Sequence, residues 1–145
     1  MKARIHPVSI YEDRIVESIA TPAERARLTP VAIKGFFKLA EQWGLTDDES
    51  KALLGDLPSS TFYSWKSKPP RQNDSDRLLR NSYLLGIYKA LNVLFEKRIA
   101  RTWMTLPNSN PLLKGQTPVT MISKNGIVGL HEIRTLLDAR RGGIA

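Results

Sequence analysis

The chain has 145 residues, of which 41% are hydrophobic, and its formal net charge of +8 favours nucleic acid or another acidic partner. This length suits one compact domain or two small helical subdomains, and the lack of cysteine excludes a disulfide framework, a thiolate nucleophile and a cysteine-based metal site. No apolar run approaches the roughly 20 residues that cross a bilayer, and the first residues lack the apolar centre of a secretory signal, so we expect a cytoplasmic protein with no membrane partner.

Thr-Pro pairs are the first helix signals along the chain. Residues 1–20 have no clean hydrophobic period, and we interpret them as an N-terminal arm. After the arm, a threonine hydroxyl can accept a hydrogen bond from a free amide of a first helical turn, and proline fits the first helical position because its missing amide hydrogen is not needed there. The sequence therefore predicts helix starts at Thr21-Pro22, Thr29-Pro30 and Thr117-Pro118.

Two helices are predicted in the next segment. From Pro30, apolar residues at helical spacing predict a helix that ends near Gly44, where glycine permits a left-handed stop. Thr46 and Glu49 then have the spacing of a capping box, and the acidic residues between them complement the positive end of a helix dipole. They predict a second helix of two turns.

A third short helix completes the layout of a helix-turn-helix domain. Either serine of Ser59-Ser60 can cap it, and the following KPPR segment ends it because paired prolines cannot continue a helix. Two short helices joined by a tight break are typical of helix-turn-helix proteins, so we predict such a domain over residues 21–72. Phe62 and Trp65 are expected to anchor the third helix in the core.

The exposed face of this third helix is the predicted DNA-binding surface, because hydroxyls and positive charges suit phosphate oxygens. The segment from Ser59 to Lys66 lacks the Arg, Asn or Gln that read guanine or adenine with two hydrogen bonds, so we expect weak, indirect or dimer-dependent DNA binding. Alternatively, these polar residues are only the solvated side of the helix. The predicted DNA-binding residues are Ser60, Thr61, Tyr63, Ser64, Lys66, Lys68 and Arg71.

The longest periodic stretch runs from Leu78 to Ile99 and predicts one central helix. Its apolar face is wider than one small domain buries, which favours a homodimer. After it, the segment from Trp103 to Pro118 is rich in proline and asparagine and predicts a non-helical connection, with Trp103 and Leu106 packed inward.

Two helices are predicted to end the chain. The first is a short helix from Pro118, and a turn at Lys124-Asn125-Gly126 separates it from a last helix that runs to about Arg140. No β-strand alternation persists along the chain. The predicted fold class is therefore all-α, with a helix-turn-helix subdomain followed by a long central helix and a small helical domain over residues 73–145.

A set of residues in the C-terminal half forms a recognisable pattern: a helix ending in tryptophan, a Pro-Asn loop, a proline helix start, a glycine turn, and a final helix followed by a glycine. The residues of this pattern are Arg101, Trp103, Pro107, Asn108, Leu112, Gly115, Thr117, Pro118, Ile122, Gly126, Leu136, Leu137 and Gly143. With this pattern, the sequence from about Leu78 to Ala145 resembles the C-terminal domain of the Xre/MbcA/ParS antitoxins.

The resemblance implies an antitoxin whose partner is a RES-domain toxin, an enzyme that degrades NAD or transfers its ADP-ribose. It also implies that the C-terminal region covers the NAD pocket of the toxin, and that the complex represses its own promoter through an Xre-like N-terminal domain. The structural motif residues are Trp103, Pro107, Asn108, Gly115, Pro118 and Gly126. The expected toxin-binding residues are Leu112, Leu113, Arg134, Arg140, Arg141, Gly142, Gly143, Ile144 and Ala145.

The physical chemistry of the tail fits this role. Glycines permit close backbone approach, and the guanidinium groups of Arg140 and Arg141 suit a position built for pyrophosphate or the acidic residues lining it. The alternative is a frayed chain end. With the resemblance we favour a bound tail. Leu112 and Leu113 are adjacent in a loop and cannot easily both point inward, so we expect the toxin or a second antitoxin copy to cover one of them.

An enzymatic function is not expected. His6 and His131 lack metal-ligand spacing, no glycine-rich phosphate loop follows a strand, and capping explains the carboxylates of the segment 47–49. We therefore expect no cofactor and no metal site. The competing hypothesis is a stand-alone helix-turn-helix transcriptional regulator without a toxin partner.

Overall fold

The computed structural model describes residues 21–71 and 74–142, and within these residues the chain forms helices and no strand. The predicted all-α fold class is confirmed. The predicted N-terminal arm, with His6, and the tail residues Gly143, Ile144 and Ala145 lie outside the described residues. The helices are α1 (Pro22–Gln42), α2 (Asp47–Leu53), α3 (Ser59–Ser67), α4 (Ser75–Leu94), α5 (Lys97–Thr102) and α6 (Pro118–Arg140), and a short 3-10 turn (Trp103–Thr105) follows α5.

Threonine side chains cap three of these helices, as the sequence predicts. The Thr21 hydroxyl accepts a hydrogen bond from the Glu24 amide at 3.2 Å, and Thr117 caps α6 in the same way. At α2 the capping box is complete, because the Glu49 amide donates to Thr46 Oγ1 at 3.1 Å and the Thr46 amide donates to Glu49 Oε1 at 2.8 Å.

Two predicted helix starts are wrong. Thr29 and Pro30 lie inside α1, because Thr21 has already begun the helix and the buried Thr29 hydroxyl donates to the Arg25 carbonyl of the preceding turn at 2.6 Å. At α3 neither serine acts as the cap. Pro58 precedes the helix without a side-chain bond, and Ser59 Oγ instead accepts a hydrogen bond from Lys51 Nζ at 2.9 Å.

The predicted single central helix over Leu78–Ile99 is also wrong at its end. Phe95 is extended, with φ −127° and ψ 155°, so α4 stops at Leu94 and α5 starts in a new direction. The hydrophobic period continues across this break, but Ile99 is 40% exposed whereas Ala100 is buried. The redirection buries Ala100 together with the 3-10 turn that follows α5.

The core forms where α1 and α6 pack on α4, and α2 also packs on α6. Tyr83, Leu84, Ile87 and Leu91 of α4 are all fully buried within this single chain. Most of the apolar face of α4 is thus covered by the helices of its own chain, so this face gives little support for the homodimer, which stays a prediction. The buried cluster includes residues from both predicted domains. None of the described helices has the length and apolarity to span a membrane.

The segment between α5 and α6 is anchored differently from the prediction. Trp103 is buried, as predicted, and Met104 beside it is fully buried. Leu106 is 54% exposed, so its predicted inward packing is wrong. Leu113 fills the inward position instead, because it is completely buried against the core.

Gly126 bends α6 where the sequence predicts a turn. Its φ of 60° and ψ of −133° fall outside the helical region and interrupt the helix between two helical parts. This combination of angles is essentially restricted to glycine because a Cβ atom would clash with the backbone. The predicted turn before the last helix is therefore confirmed.

We expect Gly126→Ala to lower the free energy of unfolding by roughly 1–3 kcal/mol because alanine is strained at these angles. Gly35→Ala is the control for the added methyl group, because Gly35 lies inside α1 without a positive φ and the nearest atom to its added Cβ, Leu85 Cδ2, is 3.4 Å away. Urea denaturation followed by circular dichroism measures both variants. Equal stability of Gly126→Ala and the unsubstituted chain would contradict the strain.

Candidate functional site

Asparagine side chains hold the segment before α6 in a defined conformation. Asn108 Oδ1 accepts a hydrogen bond from the Asn110 amide at 2.9 Å, and Asn110 Oδ1 accepts one from the Leu112 amide at 2.9 Å. The Asn108 amide closes the loop by donating to the Gln116 carbonyl at 3.2 Å. In this geometry Asn108 supports the loop, whereas Pro107 beside it is exposed.

Lys114 and Gly115 complete the loop, with φ values of 51° and 80°. The left-handed conformation of these two residues turns the chain back toward Pro118, whose side chain is buried at the start of α6. Glycine adopts such angles without strain, so Gly115 suits the structural role that the sequence assigns to it.

The structure separates the two adjacent leucines of this loop. Leu113 is fully buried, so its side chain does not reach the surface in this conformation, and its role as a toxin contact stays a prediction. Leu112 is half-buried and lines a shallow depression of about 410 Å³ with four residues of α6. Of the pair, Leu112 alone is accessible as a contact in this conformation.

His131 borders the same depression and has a structural partner. Its Nδ1 atom lies 3.2 Å from the hydroxyl oxygen of the buried Tyr83, and the two rings meet edge to face. The contact joins α6 to the core of α4, which gives His131 a structural role. Within residues 21–71 and 74–142, no group of His, Asp and Glu side chains is arranged to hold a metal ion.

Two of the predicted toxin-binding arginines line one groove between α4 and the end of α6, which we call the α4–α6 groove. Arg134 and Arg141 form one side of it, seven residues apart and therefore on the same face of α6. The groove has a volume of about 700 Å³. The other residues that line it are Ser82, Leu85, Gly86, Tyr88, Lys89, Asn92 and Val93.

A largely buried ion pair positions Arg134 in this groove. Its Nε atom lies 3.2 Å from Asp138 Oδ2, and the exposed fractions of the two side chains are 11% and 8%. Beyond this pair, Arg140, Arg141 and Gly142 are exposed at the end of α6. Gly142 has a φ of 70°, so the chain leaves the helix in a left-handed conformation.

The predicted DNA-binding residues gather on the exposed side of α3 and just beyond it. Thr61 is half-buried, and on the opposite side of the helix Phe62 is buried and Trp65 is half-buried against the core, as predicted. The exposed members of the set are Ser60, Tyr63, Ser64, Lys66, Lys68 and Arg71.

Asp47 at the start of α2 organises part of this face. The Tyr63 hydroxyl donates a hydrogen bond to Asp47 Oδ2 at 2.8 Å, and Lys66 Nζ lies 3.8 Å from Asp47 Oδ1. The hydrogen bond and the negative charge of Asp47 together raise the pKa of the Tyr63 hydroxyl above its ordinary value. The sequence predicts only a helix-capping role for Asp47. Its contact with Tyr63 is not predictable from the sequence, because Asp47 and Tyr63 lie on different helices.

Comparison with known proteins identifies the C-terminal half. Residues 90–143, from the end of α4 to the tail, match the antitoxin Xre/MbcA/ParS C-terminal toxin-binding domain. The chain belongs to the Xre/MbcA/ParS antitoxin family. The segment that matches contains Leu112, Arg134 and Arg141, so it includes one wall of the α4–α6 groove.

The similarity to one relative extends over most of the antitoxin. The chain is 33% identical over 126 residues to the uncharacterized protein y4oB of Sinorhizobium fredii (strain NBRC 101917 / NGR234). The alignment covers 86% of this antitoxin and 95% of the relative. The two proteins are thus similar over both the N-terminal and the C-terminal halves.

The residues of α4 that line the groove are not among the predicted toxin-binding residues. Ser82, Gly86, Lys89 and Val93 follow one another at intervals of three or four residues along α4, so they share one face. Two residues of this face were a signal in the sequence. Gly86 is unfavourable in the middle of a helix, and Val93 is an apolar residue on the otherwise polar side of α4. The wide apolar period of the same helix obscured this signal.

We expect Asp47→Asn to lower the pKa of Tyr63 toward the ordinary value of 10.0, because it weakens the hydrogen bond to residue 47, which is the largest cause of the shift, and removes the charge of Asp47, which is the second. Asp48→Asn is the control, since Asp48 is the weakest of the contributions that raise this pKa. NMR titration of the tyrosine ring carbons measures both.

Because the pKa of Tyr63 is raised in the folded chain, the hydrogen bond to Asp47 stabilises the fold below pH 10 and is lost as the pH rises through the raised value. At neutral pH, Tyr63 should therefore contribute no pH dependence. An unchanged Tyr63 pKa in Asp47→Asn would show that Asp47 does not cause the shift.

Proposed function

We propose that this antitoxin neutralises a cognate NAD-using toxin of the RES type by binding it and blocking its NAD pocket with the C-terminal region. The observation that carries the proposal is the match of residues 90–143 to a toxin-binding domain, because this segment includes the exposed end of α6. NAD-degrading and ADP-ribose-transferring toxins both need the same pocket, so one blocking mechanism serves for either reaction. NAD is an intracellular cofactor, and we propose a cytoplasmic complex.

The end of α6 has the chemistry for such a block. Arg140 and Arg141 are exposed, and guanidinium groups bind pyrophosphate and carboxylate oxygens through paired hydrogen bonds. Gly142 already adopts a left-handed conformation, and glycine allows the backbone to approach the wall of a pocket closely. A segment seated in this way excludes NAD by occupying its site.

We expect deletion of residues 140–145 to abolish most of the neutralisation. NAD consumption by the product of the neighbouring reading frame, measured with the truncated antitoxin, should return to the rate of the free toxin. Binding need not disappear, because the rest of the matched segment is retained. Co-purification of the two proteins measures binding separately.

The control for this truncation is the double substitution Lys34→Ala and Lys38→Ala on α1. It removes two positive charges, as the truncation does, but keeps the tail, and both lysines are exposed and lie outside residues 90–143. It should neutralise as well as the unsubstituted antitoxin. A truncated chain that neutralises equally well would overturn the blocking mechanism and leave only binding.

A second function, DNA binding with repression of the antitoxin's own promoter, is proposed for the α3 face. Its support is the cluster of exposed hydroxyls and basic side chains at Tyr63, Ser64, Lys66 and Lys68. Such groups suit phosphate contacts, which position a protein on DNA without reading the sequence. If the neighbouring reading frame encodes no toxin, a stand-alone helix-turn-helix regulator becomes the better interpretation.

We expect Lys66→Ala and Arg71→Ala to weaken binding to the promoter DNA and to lower its salt dependence, because each removes one phosphate contact. The slope of log K against log salt should fall by about 1 for each substitution. Fluorescence anisotropy over a salt series measures this slope. Lys124→Ala, an exposed lysine on α6, is the control. Slopes that match those of the control would refute DNA contact at α3.

A further inference from the structure

The α4–α6 groove combines an apolar floor with a basic rim. Leu85 and Tyr88 are half-buried in the floor, and Val93 at one end is 67% exposed. Gly86 lies between them and is buried, so no side chain fills the middle of the groove. Such a surface leaves apolar area in contact with water unless another molecule covers it.

The rim of the groove carries positive charge without a carboxylate among the lining residues. Lys89 on α4 and Arg141 on α6 are both exposed, and neither makes an ion pair with another described residue. The contact with Asp138 balances the charge of Arg134, so Lys89 and Arg141 carry the net positive charge of the rim. The local field therefore attracts an anionic group, in addition to the overall charge of +8.

The mixture of these two properties favours a peptide segment over a free anion. A phosphate or a nucleotide phosphate would use the cations but would leave Leu85, Tyr88 and Val93 uncovered. A segment with an apolar side chain next to a carboxylate satisfies both parts, since protein interfaces place apolar anchors at the centre and charged groups at the rim.

The position of the groove indicates where that segment comes from. Asn92, Val93, Arg134 and Arg141 lie inside the matched toxin-binding segment, residues 90–143, and they continue without interruption into Lys89 and the earlier turns of α4. The groove is therefore continuous with a surface assigned to toxin binding. Its α4 side extends that surface beyond the matched residues.

We propose that the α4–α6 groove binds an acidic segment of the toxin, with a carboxylate between Lys89 and Arg141 and an apolar side chain on Leu85, Tyr88 and Val93. This inference rests on the proposed antitoxin function but not on the blocking tail. It assigns part of the toxin specificity to α4, because Lys89 and Leu85 precede the segment that matches the family.

The test compares two pairs of substitutions in the full chain. Lys89→Glu reverses a charge on the groove, and Lys34→Glu makes the same change on an exposed residue of α1 that lies outside both the groove and residues 90–143. Val93→Ser removes an apolar contact from the groove, and Val31→Ser is its control because Val31 is 73% exposed on α1, outside residues 90–143. Circular dichroism melts confirm that all four variants fold.

Calorimetry with the purified product of the neighbouring reading frame measures Kd at several salt concentrations. We expect Lys89→Glu to weaken binding about tenfold or more, with a smaller salt dependence, and Val93→Ser to weaken it several-fold without changing the salt dependence. Both controls should bind like the unsubstituted chain. The inference would be overturned if Lys89→Glu and Val93→Ser bound the toxin as tightly as the unsubstituted chain. It would also be overturned if the control variants lost as much affinity as the groove variants.

The same measurements distinguish a toxin segment in the groove from a second antitoxin copy, and groove binding from tail blocking. If the unsubstituted chain binds no toxin, the antitoxin function itself fails, and the inference with it. If light scattering shows that the unsubstituted chain is a dimer and that Lys89→Glu is a monomer, the groove binds a second copy and the inference is wrong. If Lys89→Glu loses affinity and deletion of residues 142–145, which keeps Arg141 in the groove, still neutralises the toxin, the inference stands and the blocking mechanism fails.

Discussion

Burial of α4 between α1 and α6 is the constraint on which the rest of this antitoxin depends. Tyr83, Leu84, Ile87 and Leu91 have no exposed surface, and each such side chain contributes about 1.5–3 kcal/mol when it is fully removed from water. Because α1 covers one side of α4 and α6 another, the remaining face of α4 is presented to solvent. That remaining face forms the floor of the α4–α6 groove.

Local chemistry made much of the fold predictable. The capping threonines, the capping box at Thr46 and the glycine turn at Gly126 each act through their immediate neighbours in sequence, so the sequence is enough to find them. The errors at Pro30 and Phe95 have a different origin. At Pro30 an earlier cap had already started the helix, and at Phe95 the chain turns so that later residues can be buried, which is a tertiary effect that hydrophobic periodicity does not record.

The candidate sites were predictable only where one helix supplies the whole surface. The exposed face of α3 follows from helical spacing alone. The α4–α6 groove is lined by Lys89 from one helix and by Arg141 from another, and the contact of Tyr63 with Asp47 also joins two helices. Neither pairing has a signature in the sequence. Similarly, the pattern indicated that one of two adjacent leucines would be buried, but only packing selects Leu113.

The shared core has a consequence for how this protein is divided. Residues 90–143 contain the family match, but α6 packs on α2, which lies wholly outside that segment, and on α4, most of which lies outside it. Cut out alone, the segment would expose the apolar side of α6 to water and would lack most of the surface that orders it. Transplanting its recognition properties onto a foreign scaffold would therefore require grafting the supporting helices as well.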